Sequence, residues 1–235
     1  MIDGVDVADP RFSEKGRAPF LPLRGRMKWA IAALVAVAVL DVAGFGSDYL
    51  EYDLYDRVVR RAAYAQQDID DADLRQGAIA LLQLAAFIAA IVLFLRWFHR
   101  SYRNLRAVGG NQRYGEGWAI GAWFVPFLNL YRPKQIANDI WRGSDPALPN
   151  AAPSERAPVS PLLGWWWAAF LVSTWADNIA ARLAFNGDAA SDIRSADLAQ
   201  LVGDVLDLIA AVLAIAAIRA LTARQSERAT ELCSG

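Results

Sequence analysis

The chain has 235 residues, 55% of them hydrophobic, and its 24 Lys and Arg residues nearly balance its 25 Asp and Glu residues. One Cys and one His exclude an internal disulfide, a cysteine-ligated cluster and a histidine-based zinc or haem site. No cofactor and no metal are therefore expected. Nucleic acid is not an expected partner either, because no basic soluble domain is present. The apolar residues form long blocks, which predicts an all-α membrane protein.

The N-terminal third predicts a tail, a span and an outer helix. Residues 1–26 are polar and Pro-rich, which predicts a disordered cytoplasmic tail. Residues 27–46 are apolar over the length of a span and contain Asp41; a cleaved secretory signal is the alternative. Residues 47–76 are acidic but keep apolar residues at helical spacing, which predicts an acidic helix on the outer face. A turn is expected at Asp68, Asp70, Asp71 and Asp73.

A row of arginines follows the second predicted span, residues 77–96, in which Gln83 is the polar exception. The row consists of Arg96, Arg100, Arg103 and Arg106, which on a continuous helix share one broad face. They have two interpretations: the general excess of Lys and Arg at a cytoplasmic span end, or specific binding of anionic lipid headgroups. The residues proposed for lipid-phosphate binding are Arg96, His99, Arg100, Arg103, Arg106, Arg132 and Lys134.

The rest of the cytoplasmic-side motif, residues 97–146, predicts two further helices. Gly109 and Gly110 should end the preceding helix. Residues 117–131 are aromatic-rich but shorter than the roughly 20 residues of a span, which predicts a re-entrant or interfacial aromatic helix. Pro133 can then open an amphipathic helix in the plane of the membrane. Ile136, Ile140 and Trp141 share its apolar side.

The C-terminal part predicts two more spans, residues 162–185 and 198–221, after a Pro-rich linker. A membrane domain of four transmembrane helices, residues 27–228, results, with a short tail at 229–235. The distribution of Lys and Arg places both termini in the cytoplasm and predicts a multi-pass protein of the cell inner (plasma) membrane. A full crossing by residues 117–131 would place the C-terminal arginines outside, against that bias.

The central stretch resembles a bacterial family of integral membrane proteins that carry the domain of unknown function 4328. The resemblance rests on WFHR-x-YRN-L at Trp97 to Leu105, on the segment from Arg113 to Pro133, and on the tryptophans Trp165 to Trp167. It covers roughly residues 77 to 228. The resemblance implies a membrane location and a helical fold, but it implies no catalytic residues.

Ionisable side chains within the predicted spans point to a polar cluster, because each costs roughly 2.5–3.5 kcal/mol to insert. Asp177 lies on a polar stripe of the third span, and Asp204 and Asp207 form a similar pair on the fourth. The cluster either binds a cation or a small cationic solute, or relays protons, or it is a salt-bridge network that orients the spans. Its candidate residues are Asp41, Asp177, Asn178, Arg182, Asp204 and Asp207.

Three functions are consistent with these features. The first is a non-enzymatic membrane scaffold or interaction module, the second a small-solute, cation or proton-coupled transporter, and the third a membrane-embedded enzyme acting on lipid. No catalytic residue is assigned, because no Ser-His-Asp order and no phosphate loop can be assembled. The expected partners are membrane lipids with anionic headgroups at the cytoplasmic face, with a homo-oligomer also compatible with the sequence.

Overall fold

The computed structural model describes residues 19–59, 66–147, 158–186 and 190–234. All regular structure in these residues is helical. Two 3-10 turns, Asn104–Arg106 and Leu128–Leu130, lie between the α-helices. The α-helices of the described residues are α1 (Arg24–Val59), α2 (Gln66–Arg103), α3 (Trp118–Gly121), α4 (Arg132–Gly143), α5 (Pro161–Asn186) and α6 (Ala190–Ser234).

The described residues divide into two compact units. Unit 1 takes its residues from Met1–Arg24, Trp97–Leu163 and Arg219–Gly235. Unit 2 takes its residues from Gly25–Arg96 and Gly164–Ile218. The long helices α2 and α6 therefore each contribute residues to both units.

Three segments of the described residues are long and apolar enough to cross a bilayer: Arg24–Ser47, Asp70–Arg106 and Val202–Cys233. In Asp70–Arg106, only 6% of the most apolar 18-residue stretch is buried within the protein. Leu81 and Leu82, for example, are 70% and 58% exposed. Apolar side chains in such numbers need a hydrocarbon solvent, because water would not tolerate a patch of this size. These helices indicate a membrane protein.

The N-terminal helices are longer than predicted. α1 begins within the predicted tail and continues past residue 46 without a break, and residues 60–65 lie outside the described part of the chain. Residues 1–18 also lie outside it, but Leu23, which was predicted to be disordered, is buried in unit 1. The predicted aspartate turn is wrong, because these residues lie inside α2: acidic side chains near a helix N-terminus are compatible with the helix dipole.

The C-terminal helices agree with the predicted spans in position. α5 matches the predicted span 162–185 within one residue at each end. α6 contains the predicted span 198–221 and extends through residues 229–234, where a tail was predicted. Much of the predicted linker, residues 148–157, lies outside the described residues.

The predicted aromatic helix over 117–131 is not a continuous helix. It consists of the four-residue α3 and one 3-10 turn, joined through Pro126 and Phe127. α4 does begin with Pro in its first turn, as predicted. Its apolar side is covered by protein rather than available to lipid, since Ile136 and Ile140 are fully buried.

Unit 1 is held together by hydrogen bonds that the last turns of α6 make with distant parts of the chain. Thr222 accepts a hydrogen bond from the indole N–H of Trp97 at 3.0 Å. The fully buried Gln225 donates to the Ser101 carbonyl at 3.0 Å and to the Ser144 hydroxyl at 3.2 Å. Because an unpaired buried polar group is costly, these bonds specify how α6 packs in unit 1.

Two glycines of unit 1 allow two backbone segments to touch. A Cβ added to Gly110 would lie 2.9 Å from both the Cα and the carbonyl oxygen of Gly143. Backbone atoms cannot move aside as a side-chain end can. Gly110 is therefore required by the packing of the loop after α2 against the end of α4.

We predict that Gly110→Ala destabilises the protein by about 1–3 kcal/mol, the usual cost of overpacking. Gly117→Ala is the matched control, because a Cβ at Gly117 meets nothing within 4 Å and the residue has φ −60°. The measurement is thermal unfolding of both variants in the same detergent. Equal midpoints for the two variants would contradict the close approach.

Candidate functional site

An acidic cavity of about 500 Å³ lies within unit 2. Four carboxylates line it: Asp41 from α1, Asp177 from α5, and Asp204 and Asp207 from α6. Asp204 and Asp207 are three residues apart and so lie on one helix face. We call this the acidic cavity; no Lys, Arg or His is among the described residues that line it.

Two glutamines of α2 complete the polar lining. The side-chain amide of Gln83 lies 3.4 Å from both the Asp41 carboxylate and the Leu40 carbonyl, to which it donates. Gln76 also lines the cavity and accepts a hydrogen bond from Ser47 at 2.8 Å. Ser47 in turn accepts one from the Nε of Arg75 at 2.9 Å. α2 thus contributes neutral polar groups, whereas the other helices contribute carboxylates.

Two helical glycines make room for these polar side chains. A Cβ at Gly203 would lie 2.8 Å from the Asp177 carboxylate oxygen, and one at Gly44 would lie 2.9 Å from the Gln83 amide nitrogen. Small residues at such positions let helices approach closely within a membrane. Gly44 itself lines the cavity.

The structure brings together four of the six residues predicted for this cluster. Asn178 is exposed and donates back to the Thr174 carbonyl at 2.7 Å, and Arg182 is exposed; neither lines the cavity. The helical period explains this result, since positions one and five residues after Asp177 are rotated from it by about 100° and 140°. Sequence reasoning missed Gln76, but the isolated polar Gln83 in an apolar span was a usable signal.

The described residues contain no group of three His, Cys, Asp or Glu side chains that could hold a metal ion. The carboxylates of the acidic cavity surround a space rather than converge on one point. The cavity is also within the range of about 300–1,000 Å³ typical of small-molecule sites. Its dimensions suit a solute of several heavy atoms or a hydrated ion.

The aromatic and arginine motifs of the central stretch meet one another in unit 1. The guanidinium of Arg132 lies between the rings of Tyr114 and Trp118, at 4.8 and 4.3 Å from their centroids. The Tyr102 hydroxyl donates to the Tyr114 carbonyl at 3.0 Å and accepts from its N–H at 2.8 Å. Each contact between the Arg132 guanidinium and an aromatic ring contributes about 0.5–2 kcal/mol.

Further motif residues pack in the core of unit 1. Phe98 packs edge-on against Trp123, with centroids 5.9 Å apart. Asn104 forms a two-way amide pair with the backbone of Leu21, at 3.2 and 2.8 Å. These motif residues therefore take part in the packing of unit 1.

The model of the family described as domain of unknown function DUF4328 matches residues 60–223. The chain belongs to the DUF4328 family. No curated protein and no solved structure matches the chain. The DUF4328 match includes Gln83, Asp177, Asp204 and Asp207, whereas Asp41 lies before it.

The seven residues proposed for lipid-phosphate binding have different surroundings in the structure. Arg103 and Arg106 reach the Glu116 carboxylate at 3.8 and 3.3 Å, and Arg132 is held between aromatic rings. Lys134 donates to Asn138 at 2.6 Å. The others lie near the end of α2: Arg96 is exposed, whereas His99 and Arg100 are half-buried.

Burial, together with the positive charge of Arg142, lowers the pKa of Lys134 below its ordinary value. A lysine whose pKa is lowered by folding binds fewer protons in the folded state than in the unfolded one over the interval between the two pKa values. Stability linked to Lys134 therefore rises with pH through that interval.

We predict that Gly203→Ala disturbs the acidic cavity by displacing the Asp177 carboxylate. An exposed helical Gly→Ala change normally stabilises by about 0.5–1 kcal/mol, which is the expectation for Gly46→Ala because a Cβ there meets nothing. Gly203→Ala should lack this gain in thermal unfolding. In an Asp177→Ala background the gain should return, as a double-mutant cycle would show. Equal gains at Gly203 and Gly46 in the native background would refute the contact.

Proposed function

We propose that the protein binds a small organic cation in the acidic cavity, as a membrane binding protein of the kind that takes part in solute transport. The observation that carries the proposal is the set of four carboxylates from three helices around one cavity of about 500 Å³. Carboxylates within a membrane segment are costly and characteristically mark ion or solute paths. A solute that carries positive charge offsets that cost.

The composition of the lining favours a cation over an anion. Carboxylates accept hydrogen bonds and repel anions, and the amides of Gln76 and Gln83 supply neutral donors and acceptors. Phe45, Ile79 and Ala80 add apolar surface to the same cavity. A protonated amine with an apolar body would use all three kinds of group.

The proposed threading has four spans, with α5 as the fourth beside the three apolar segments. Trp165, Val172, Trp175 and Ile179 of α5 are all more than half exposed. They cover about 21 Å along the helix at 1.5 Å per residue, which suits contact with lipid. An even number of spans returns both termini to one side, and the excess of Lys and Arg favours the cytoplasmic side of the inner membrane.

A scaffold without a ligand is the competing proposal. In it the carboxylates are satisfied by other side chains and only orient the helices. The hydrogen bond from Gln83 to Asp41 favours this account. The two proposals differ in whether water and a charged solute reach Asp207.

The test is charge-selective labelling of Asp207→Cys in a Cys233→Ser background, in purified protein. A trimethylammonium methanethiosulfonate and its sulfonate counterpart are compared, with the exposed native Cys233 as reference. We expect the cationic reagent to be favoured about tenfold or more over the preference seen at Cys233, because acidic clefts concentrate cations.

Neutralisation of the neighbouring acids provides the control. Asp177→Asn and Asp204→Asn together should reduce the preference at Asp207→Cys towards that of Cys233. An Asp207→Cys thiol that reacts with neither reagent, or with no greater preference than Cys233, would reject the cation site and favour the scaffold.

A further inference from the structure

Unit 1 presents an apolar surface on its aromatic loop, which we define as residues 117–131. Phe127 and Phe124 are 79% and 67% exposed, the largest exposures among the large apolar side chains of the loop. Ile120, Val125 and Leu130 add exposed apolar area close by in sequence. Single exposed apolar residues are common on proteins, but a contiguous set of this kind marks an interaction surface.

The backbone of the aromatic loop is irregular at its most exposed point. Phe127 has φ 63°, the only positive φ of a non-Gly residue within the described part of the chain. A bulky residue in this region is strained, and such strain is concentrated at functional positions. The loop thus holds the Phe127 side chain outward at some cost in conformational energy.

The irregular backbone limits the depth in the bilayer at which the aromatic loop can lie. Irregular backbone exposed to lipid is not found in the hydrocarbon core, where every N–H and C=O must be satisfied internally. Water, on the other hand, is a poor solvent for the two exposed phenylalanines. The headgroup–acyl boundary offers both apolar contact and hydrogen-bond partners, and aromatic residues are enriched there.

Charge and chain connection point to the bilayer rather than to a protein partner. Residues 97–146 contain seven Lys and Arg residues and three Asp and Glu residues, a balance that suits anionic headgroups. The part of unit 1 that contains the loop begins at Trp97, directly after the last residue of the predicted span 77–96. The covalent chain therefore keeps the loop within reach of a membrane surface.

We propose that the aromatic loop inserts into the interface of the bilayer that the protein crosses, with Phe124 and Phe127 as its anchors. The occupant of this surface is lipid, at the boundary between headgroups and acyl chains. The proposal decides between the re-entrant and interfacial alternatives in favour of the interface. It does not depend on the acidic cavity.

The test places a fluorescent nitrobenzoxadiazole label on single cysteines in full-length protein, in nanodiscs that contain phosphatidylcholine and phosphatidylglycerol and one protein copy each. Phe127→Cys and Phe124→Cys are the test positions, and Glu227→Cys, an exposed polar position of unit 1, is the control; all carry Cys233→Ser. Lipids that carry a spin-label quencher at the headgroup, near the start of the acyl chain or near its end report depth.

We expect quenching at both phenylalanine positions to be several-fold stronger than at Glu227, and strongest with the quencher at the headgroup or at the start of the acyl chain. Quenching no stronger than at Glu227 would overturn the proposal and leave a protein partner or water. Strongest quenching by the label near the chain end would overturn it in favour of a re-entrant loop. Labelling at two positions guards against a local effect of the strained Phe127 backbone.

Discussion

The electrostatic cost of carboxylates on largely apolar helices is the constraint on which the packing of unit 2 depends. Each acidic residue costs roughly 2.5–3.5 kcal/mol on insertion scales unless polar groups or water surround it. Asp41, Asp177, Asp204 and Asp207 all line one cavity, so helix packing provides a shared polar space for them. Gly203 and Gly44 allow that packing by leaving room for an aspartate and a glutamine.

Unit 1 depends on a different constraint, the satisfaction of buried polar groups. Asn104, Gln225 and Thr222 are all buried, and each bonds to a residue far away in sequence. Replacing one partner would leave the other buried without a hydrogen bond, at about 1–3 kcal/mol. Trp97 and Asn104 belong to the motif that carries the family resemblance, so these motif residues contribute to the fold of unit 1.

The parts of the structure that could be predicted follow from periodicity along a single helix. Apolar runs located α5 within a residue at each end, and the spacing of Asp204 and Asp207 placed both on one face. The contact of Gln83 with Asp41 could not be predicted, because it joins two helices. Hydrophobic periodicity describes one helix at a time and does not show which residues of two helices lie opposite one another.

Tertiary contacts also changed the interpretation of the basic residues. The predicted continuous helix up to Gly109 and Gly110 is wrong, because α2 ends at Arg103 and Arg106 lies in the following 3-10 turn; Glu116 reaches both arginines. Arg132 lies between two aromatic rings that the chain brings together only on folding. The apolar side of α4 predicted a lipid contact, whereas protein covers it. An amphipathic pattern shows that one side of a helix avoids water, but it does not show whether lipid or protein covers that side.

The central claim is that water reaches the acidic face of α6 inside the membrane. Spin labels on α6 at Asp204 and Asp207, compared with the exposed apolar positions Val205 and Val212, test it most directly in lipid bilayers. We expect relaxation by a water-soluble nickel chelate at the two acidic positions and by oxygen, which partitions into lipid, at the two valines. Oxygen-dominated relaxation at all four positions would contradict it and make the carboxylates a dry structural network.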